Sequence, residues 1–234
     1  KSNRKIKKIH AIGVGFEYDA IAVRQKFGDI KILRTEYGYK KGRLSVIDSA
    51  SKFVNKEKES SPYKIMIGHS AYPHLNHIKI LDLLEKFKNE NIIISLVLSY
   101  GDECYATKVE NHAKVLFNDK VEIIKEYMDF KAYLDYLNSV DVWIFDYLGQ
   151  NALGNFYILL YLEKKIFLNN NSLLMLAARL EGLEVDNIDN IHNMDFSEFI
   201  AMNSNTRNNR RFSSFYLNEE NAIRSWENTF KELD

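Results

Sequence analysis

The stretch Tyr63-Lys64-Ile65-Met66-Ile67-Gly68-His69-Ser70 is an apolar run that stops at a glycine. It reads as a strand over 64–67 followed by a tight turn. After a polar loop, Ile78, Leu81, Leu84 and Phe87 recur at helical spacing. Ile92 to Leu98 is then a nearly continuous apolar run, the pattern of a strand buried on both faces of a parallel sheet. Strand, helix, strand is a βαβ unit, and the rest of the chain reads outward from it.

Downstream the alternation continues. A helix is expected from Tyr105 to Val115 and a strand from Val121 to Ile124. Asp129 can cap a helix carrying Phe130, Tyr133, Leu134 and Leu137. Val142 to Phe145 and Lys165 to Leu168 read as buried strands, Leu153 to Leu162 and Leu173 to Leu180 as helices, the second closed by Gly182. The tail is polar up to Asn218, which can cap a last helix containing Ile223, Trp226 and Phe230. Upstream, residues 9–14, 18–27 and 30–33 read as strand, helix and strand. Residues 38–62 break the rhythm with Gly38, Gly42, a Ser/Lys/Glu-rich stretch and Pro62, leaving room for one short helix near Ser45 to Val54. Strands alternating with helices define an α/β fold with a parallel sheet covered on both faces.

Composition narrows the classes. The chain has 234 residues, 46% of them apolar and 27% charged, with 10 Gly and 2 Pro, which excludes collagen-like and low-complexity readings. No run approaches the roughly 18 apolar residues of a membrane-spanning helix. A lone cysteine, Cys104, excludes a disulfide framework within the chain and a cysteine-based zinc site, and fits a reducing cytoplasm. The 32 basic and 32 acidic residues cancel only in sum. Residues 1–60 hold 15 basic and 7 acidic, a net of +8, and the remainder 17 and 25, a net of −8. A basic segment can meet a membrane surface or a polyphosphate, or it can be a solvated lysine-rich face. Nucleic acid is not an expected partner, because the site-bearing part is acidic.

In such sheets ligands bind beyond the carboxyl ends of the strands. After 64–67 come Gly68, His69 and Ser70, with Asn76 and His77 at the next helix start. After 92–98 come Ser99, Tyr100, Gly101 and Asp102. After 142–145 comes Asp146, and then Gln150, Asn151, Gly154 and Asn155 open a helix. Each group alone is an ordinary turn or helix start. Together they place small, hydroxyl and amide side chains at three strand ends facing one crevice, which suits a nucleotide diphosphate and its sugar. Other motifs do less. Gly13-Val14-Gly15 lacks the third glycine of a dinucleotide fingerprint, and no phosphate loop of the Gly-Lys-Ser/Thr type occurs. His69, His74 and His77 have no acidic partner at ligand spacing, and no Asp-x-Asp triplet is present, so neither a metal nor another cofactor is expected.

Several of these residues resemble one glycosyltransferase family. Ile65 through Ser70 with Asn76-His77-Ile78, Ser99-Tyr100-Gly101 with Tyr105 and Val109, Met128-Asp129-Phe130 with Tyr133-Leu134, and Phe145 with Gln150 through Asn155 follow its motifs in order. Asn169 and the pair Phe212-Ser213 with Tyr216-Leu217 extend the match over about 63–220. The family is that of the TDP-N-acetylfucosamine:lipid II N-acetylfucosaminyltransferases, also called 4-alpha-L-fucosyltransferases. Three positions depart: Gly149 stands where the family has Arg, Asn151 where it has a second Gln, and His69 where it has Asn. An Arg at 149 would be a natural diphosphate clamp.

The resemblance implies the two-domain, metal-independent architecture called GT-B. Residues 63–217 would then be a Rossmann-like, nucleotide-sugar-binding domain. Residues 1–40 would be a remnant of the acceptor-binding domain, 41–62 a linker, and 218–234 a C-terminal helix; most of the acceptor domain would lie outside this sequence. It implies a nucleotide-sugar donor, a lipid-linked glycan acceptor of bacterial surface polysaccharide synthesis, and peripheral contact with the anionic inner face of the cytoplasmic membrane. The general base would come from the acceptor side; Glu17, Asp19 and Asp146 are the weak candidates within the chain. Two other readings stay open: a glycosyltransferase with a different donor, and an α/β domain that binds a nucleotide or a partner without turnover.

Overall fold

The computed structural model describes residues 9–35, 43–51, 61–204 and 206–233. The basic residues 1–8 and the linker stretches 36–42 and 52–60 lie outside them. A small unit comes first: β1 (Ala11–Val14), α1 (Glu17–Phe27) and β2 (Lys31–Arg34), with β1 and β2 paired in parallel. Within the expected linker lies α2 (Arg43–Ser51), whose Ile47 is fully buried. Then follow β3 (Tyr63–Ile67), α3 (His77–Leu84), β4 (Ile92–Val97), α4 (Glu103–Phe117), β5 (Val121–Ile124), α5 (Phe130–Ser139), β6 (Val142–Phe145), α6 (Leu153–Tyr161), β7 (Lys165–Leu168), α7 (Leu173–Leu180) and β8 (Asp186–Asn187). A short α8 (Phe196–Ile200), α9 (Arg207–Leu217) and α10 (Glu219–Lys231) complete the order.

The six strands β3–β8 form one parallel sheet in the order β5-β4-β3-β6-β7-β8. Ile65 lies level with Ile94 on one side and Val142 on the other, so apolar side chains align across the sheet. Alternation splits them between two layers. Met66, Trp143 and Phe145 face the layer of α5, α6 and α7, while Ile65, Ile67, Leu96, Ile144 and Phe167 face that of α3 and α4. Every residue of β6 and β7 is buried, which is why their sequences show no alternation. Strand order reverses at β3, with β4 and β5 on one side and β6 to β8 on the other. The crevice between β3 and β6 is the switch point where such sheets open to ligands.

Two helices in the expected polar tail escape the hydrophobic pattern. In α9 the buried face is Asn209, Ser213, Tyr216 and Leu217, so half of it is polar. Asn209 accepts from the Glu184 amide and donates to the Glu184 carbonyl, both at 2.8 Å, and Ser213 donates to the Asn209 carbonyl at 2.7 Å. Satisfied polar groups bury without penalty here, but they leave no apolar periodicity to read. Asn218 caps α10 as expected, accepting from the Glu220 amide at 2.9 Å.

The small unit docks on the large sheet through aromatic rings. Phe16, just before α1, stacks on Tyr18, Tyr157 and Tyr216 at centroid distances of 5.2, 6.3 and 6.1 Å. Arg34 at the end of β2 donates to the Tyr216 hydroxyl at 2.8 Å and pairs with Glu181 at 3.3 Å.

Candidate functional site

A cavity of about 430 Å³ opens at the carboxyl ends of four strands. His69 comes from the loop after β3, Val97, Ser99 and Tyr100 from β4 and its loop, and Tyr127 and Met128 from the loop after β5. Ala152, Gly154 and Asn155 bring the start of α6. Phe130 and Tyr133 of α5 form one wall, and Arg43 at the start of α2 lies over the Phe130 ring, 4.3 Å from its centroid. The walls are therefore aromatic on one side and backbone-rich on the other. A second hollow of about 360 Å³ adjoins it, sharing Ser99 and Tyr100 and adding Gly101 and Asp102.

The start of α6, like that of α3 with its left-handed N-cap Asn76, differs from the starts of α4, α5 and α7. Asp102, Asp129 and Ser172 cap α4, α5 and α7 by accepting a backbone N–H, but the N-cap of α6 is Ala152, which has no side chain to do so. Ala152 also holds a left-handed conformation at φ 56°, uncommon for a residue with a Cβ. The first N–H groups of α6 thus meet the cavity without a side-chain cap, with the positive end of the helix dipole behind them. The Asn155 side chain lies beside the Tyr133 phenol. Burial pushes that phenol well above its ordinary range, so it stays neutral.

His69 enters the wall as a neutral ring. Burial, with the nearby His74 a smaller cause, lowers its pKa to about 4. Its Nδ1 is buried with no protein partner, and the ring lies edge-on to Phe145 and Tyr100 at 5.5 and 6.2 Å.

Of the residues singled out from the sequence, His69, Ser99, Tyr100, Gly154 and Asn155 line the main cavity, and Gly101 and Asp102 the adjoining one. The others sit behind or beside it. Gly68 makes room for a ring: a Cβ there would lie 2.5 Å from His77 Nε2. His77 is fully buried, its backbone N–H donates to the Tyr105 hydroxyl at 3.2 Å, and burial lowers its pKa to about 4. Ser70 is fully buried, with its hydroxyl beside the Tyr100 phenol. Asn76, at φ 53°, donates to the Asp146 carbonyl at 3.2 Å. The Asp146 carboxylate, 1% exposed, is occupied by Lys79 at 2.8 Å and by the Asn169 amide. Gln150 and Asn151 precede α6 without lining the cavity, and a side chain at Gly149 would run into the Tyr147 ring at 2.7 Å. Glu17 pairs with Arg24 and Arg34 at 3.2 and 3.5 Å, and burial raises the Asp19 carboxyl; both belong to α1 and neither borders the cavity.

Sequence reasoning missed Tyr127, Met128, Phe130 and Tyr133 as lining residues. The strand-end rule, applied to β5 as well, would have found the first two. Arg43 gives no such signal, because only the packing of α2 on α5 brings it there. A larger groove of about 890 Å³ runs along the flank of α3, away from the strand ends. Its Lys86 is already engaged with the carbonyls of Ile191, His192 and Met194.

Solved structures share this fold at low identity. A glycosyltransferase from Rickettsia africae ESF-5 superposes with a TM-score of 0.68 at 11% identity, covering 98% of this chain and 66% of that one. Sucrose-phosphate synthase from Thermosynechococcus elongatus gives 0.70 at 11%, covering 99% and 60%. A UDP-forming alpha,alpha-trehalose-phosphate synthase from Burkholderia xenovorans, in complex with glucose-6-phosphate, gives 0.63 at 11%, covering 98% and 62%. The chain thus has the fold of the GT-B glycosyltransferases and spans 60–66% of the length of these three. Within that class it belongs to the 4-alpha-L-fucosyltransferase family, glycosyl transferase group 56, whose model matches residues 22–212.

Proposed function

We propose that this chain is the donor-binding part of a glycosyltransferase. It would move an N-acetylated deoxyhexose such as 4-N-acetylfucosamine from TDP to a lipid-linked glycan acceptor, at the inner face of the bacterial cytoplasmic membrane. The observation that carries this reading is the cavity at the strand ends, with aromatic rings on one side and the uncapped start of α6 on the other. The base stacks against Tyr100 or Tyr127, and the diphosphate faces the N–H groups of Gly154 and Asn155. As the acceptor hydroxyl attacks the anomeric carbon, the glycosidic bond to the diphosphate breaks and the departing phosphate gains charge. The α6 dipole stabilises that charge as it develops. The neutral His69 ring can accept from or donate to a sugar hydroxyl without adding charge. Neither Glu17, Asp19 nor Asp146 borders the cavity, so the base that takes the acceptor proton is assigned to the acceptor domain. The +8 of residues 1–60 suits an anionic lipid surface.

Calorimetric titration of the chain with TDP and UDP, with and without Mg²⁺, tests the reading. The expected result is TDP binding that ignores Mg²⁺ and exceeds UDP binding, and that Asn155→Ala weakens several-fold. Tighter binding of UDP would transfer the site to a different donor. No binding of either nucleotide would overturn the donor-domain reading.

A further inference from the structure

We infer that His69 binds the phosphate next to the nucleoside, donating one hydrogen bond to it from Nε2–H. The inference rests on the donor-site reading above. The two nitrogens of the ring differ in their surroundings. Nδ1 is buried and has no partner among the described residues. Nε2 is not orphaned in this way, so it is the nitrogen that meets the cavity, which the ring lines. Burial first, and His74 second, lower the pKa of the ring to about 4, so near neutral pH it carries a single N–H. A proton on Nδ1 would be a buried donor without an acceptor, the costlier kind of orphan. A proton on Nε2 leaves Nδ1 with only an unused lone pair. On that ground the tautomer is assigned as Nε2–H, and His69 presents one uncharged donor to the cavity. A hydroxyl both gives and takes a hydrogen bond. A phosphate oxygen only takes, and that matches a ring that only gives.

Placement on the sheet picks out which phosphate. β3 lies between β4 and β6. The rings proposed for the base, Tyr100 and Tyr127, follow β4 and β5, and the N–H groups proposed for the diphosphate open α6, after β6. His69 follows β3, so its ring falls between them, against Tyr100 at 6.2 Å on one side and Phe145, at the end of β6, at 5.5 Å on the other. In a nucleoside diphosphate the piece that joins the base to the outer phosphate is the ribose with its first phosphate. The loop that carries His69 is already fixed in the free chain. The Gly68 amide donates to the Ile144 carbonyl at 3.0 Å, and the Gly68 carbonyl accepts from Trp143 Nε1 at 2.9 Å. The Ala71 amide donates to the Tyr100 carbonyl at 2.7 Å. The ring is thus held from β6 and from the loop after β4, and little ordering is left for the ligand to impose.

The experiment measures the affinity of thymidine, TMP and TDP for the unsubstituted chain, His69→Phe and His69→Gln, with a thermal melt of each. TMP carries only the phosphate in question. His69→Phe is expected to weaken TMP and TDP by the same factor, roughly ten-fold, while thymidine stays within about two-fold. Its melting temperature is expected not to fall, since carbon replaces a buried nitrogen that has no partner. His69→Gln, with an uncharged N–H at similar reach, is expected to restore most of the TMP affinity. Loss of TDP without loss of TMP overturns the inference, moving the contact to the outer phosphate. A parallel loss of thymidine overturns it too, assigning His69 a packing role beside Phe145. Equal affinities in the unsubstituted chain and both variants overturn it and leave the donor site standing. Should His69→Phe melt early, His69→Gln against His69→Met, alike in length but without the N–H, decides on the same ratio of TMP to thymidine. Failure of the unsubstituted chain to bind TDP at all overturns the donor-site reading itself.

Discussion

Two βαβ units in this chain share one grammar and differ in everything it builds. The first, β1-α1-β2, is a parallel pair with an amphipathically weak helix, and only Val14, Tyr18, Ala20 and Leu33 within its elements are buried. The second, β3-α3-β4, sits at the centre of six strands, and most of its apolar residues are fully buried. Parallel pairing needs cover on both faces and neighbours on both edges. The large sheet supplies these for itself, whereas the small unit obtains part of its cover from Tyr157 and Tyr216, through Phe16. The difference teaches that the candidate cavity is built mainly on the self-sufficient unit, and that the small one is held by a junction.

The sharpest way to break that contrast is to open each core in turn. Trp143 is fully buried, stacks on Phe145 at 4.9 Å and donates to the Gly68 carbonyl at 2.9 Å. Trp143→Ala is expected to cost about 3–5 kcal/mol, since it leaves both a cavity and an unpaired carbonyl. Leu33→Ala, in the two-stranded sheet, is expected to cost at most about 2 kcal/mol, at the mild end of its class. Urea unfolding of the two variants measures both. Equal losses would show that the small unit shares a single core with the large one.

Acid should separate the units next. His69 and His77 are in the large unit, and burial lowers the pKa of each to about 4. In the unfolded chain each takes a proton near pH 6.5, but in the folded chain only near 4. Between these values the unfolded state binds more protons, so this contribution to stability is complete above about pH 6.5 and is lost as pH falls to about 4. The expected loss over that window is roughly 1–3 kcal/mol for His77. His77→Gln should flatten that part of the profile, and hydrogen exchange should place the acid-labile amides around α3 and α4 before β1 and β2. An unchanged slope in His77→Gln would sink the assignment.

Much of the large unit was legible because its strands are buried on both faces. Val121–Ile124, Val142–Phe145 and Lys165–Leu168 have the limits read from the sequence; in Val142–Phe145 an unbroken apolar run of four between two aspartates leaves little choice. The helix at 207–217 was not legible, because Asn209 and Ser213 occupy buried positions by satisfying each other and Glu184. The strand ends pointed to the crevice where this cavity opens, for the switch point follows from topology alone. They did not separate residues that face the cavity from those that support it. Gly68 is there for the His77 ring and Asn76 for Asp146, and such duties depend on tertiary distance and not on spacing. Arg43 lies furthest from any local signal, since twenty-five residues separate it from His69 in the chain.

The smallest expected effect falls at the junction itself. Arg34 ties β2 to the large unit through Tyr216 at 2.8 Å and Glu181 at 3.3 Å, and it also meets Glu17 of α1 at 3.5 Å. Its side chain is 38% exposed, so solvent screens the two ion pairs and most of the benefit comes from the hydrogen bond to Tyr216. Arg34→Ala is therefore expected to cost only about 0.5–1.5 kcal/mol. Its informative signature is local: amides of β1 and β2 should exchange faster while those of β3 and β6 stay protected. Phe16 would still be stacked on Tyr157 and Tyr216, so the small unit should loosen without detaching. If protection fell evenly in both sheets, the junction would be part of the common core, and the two units would fold as one.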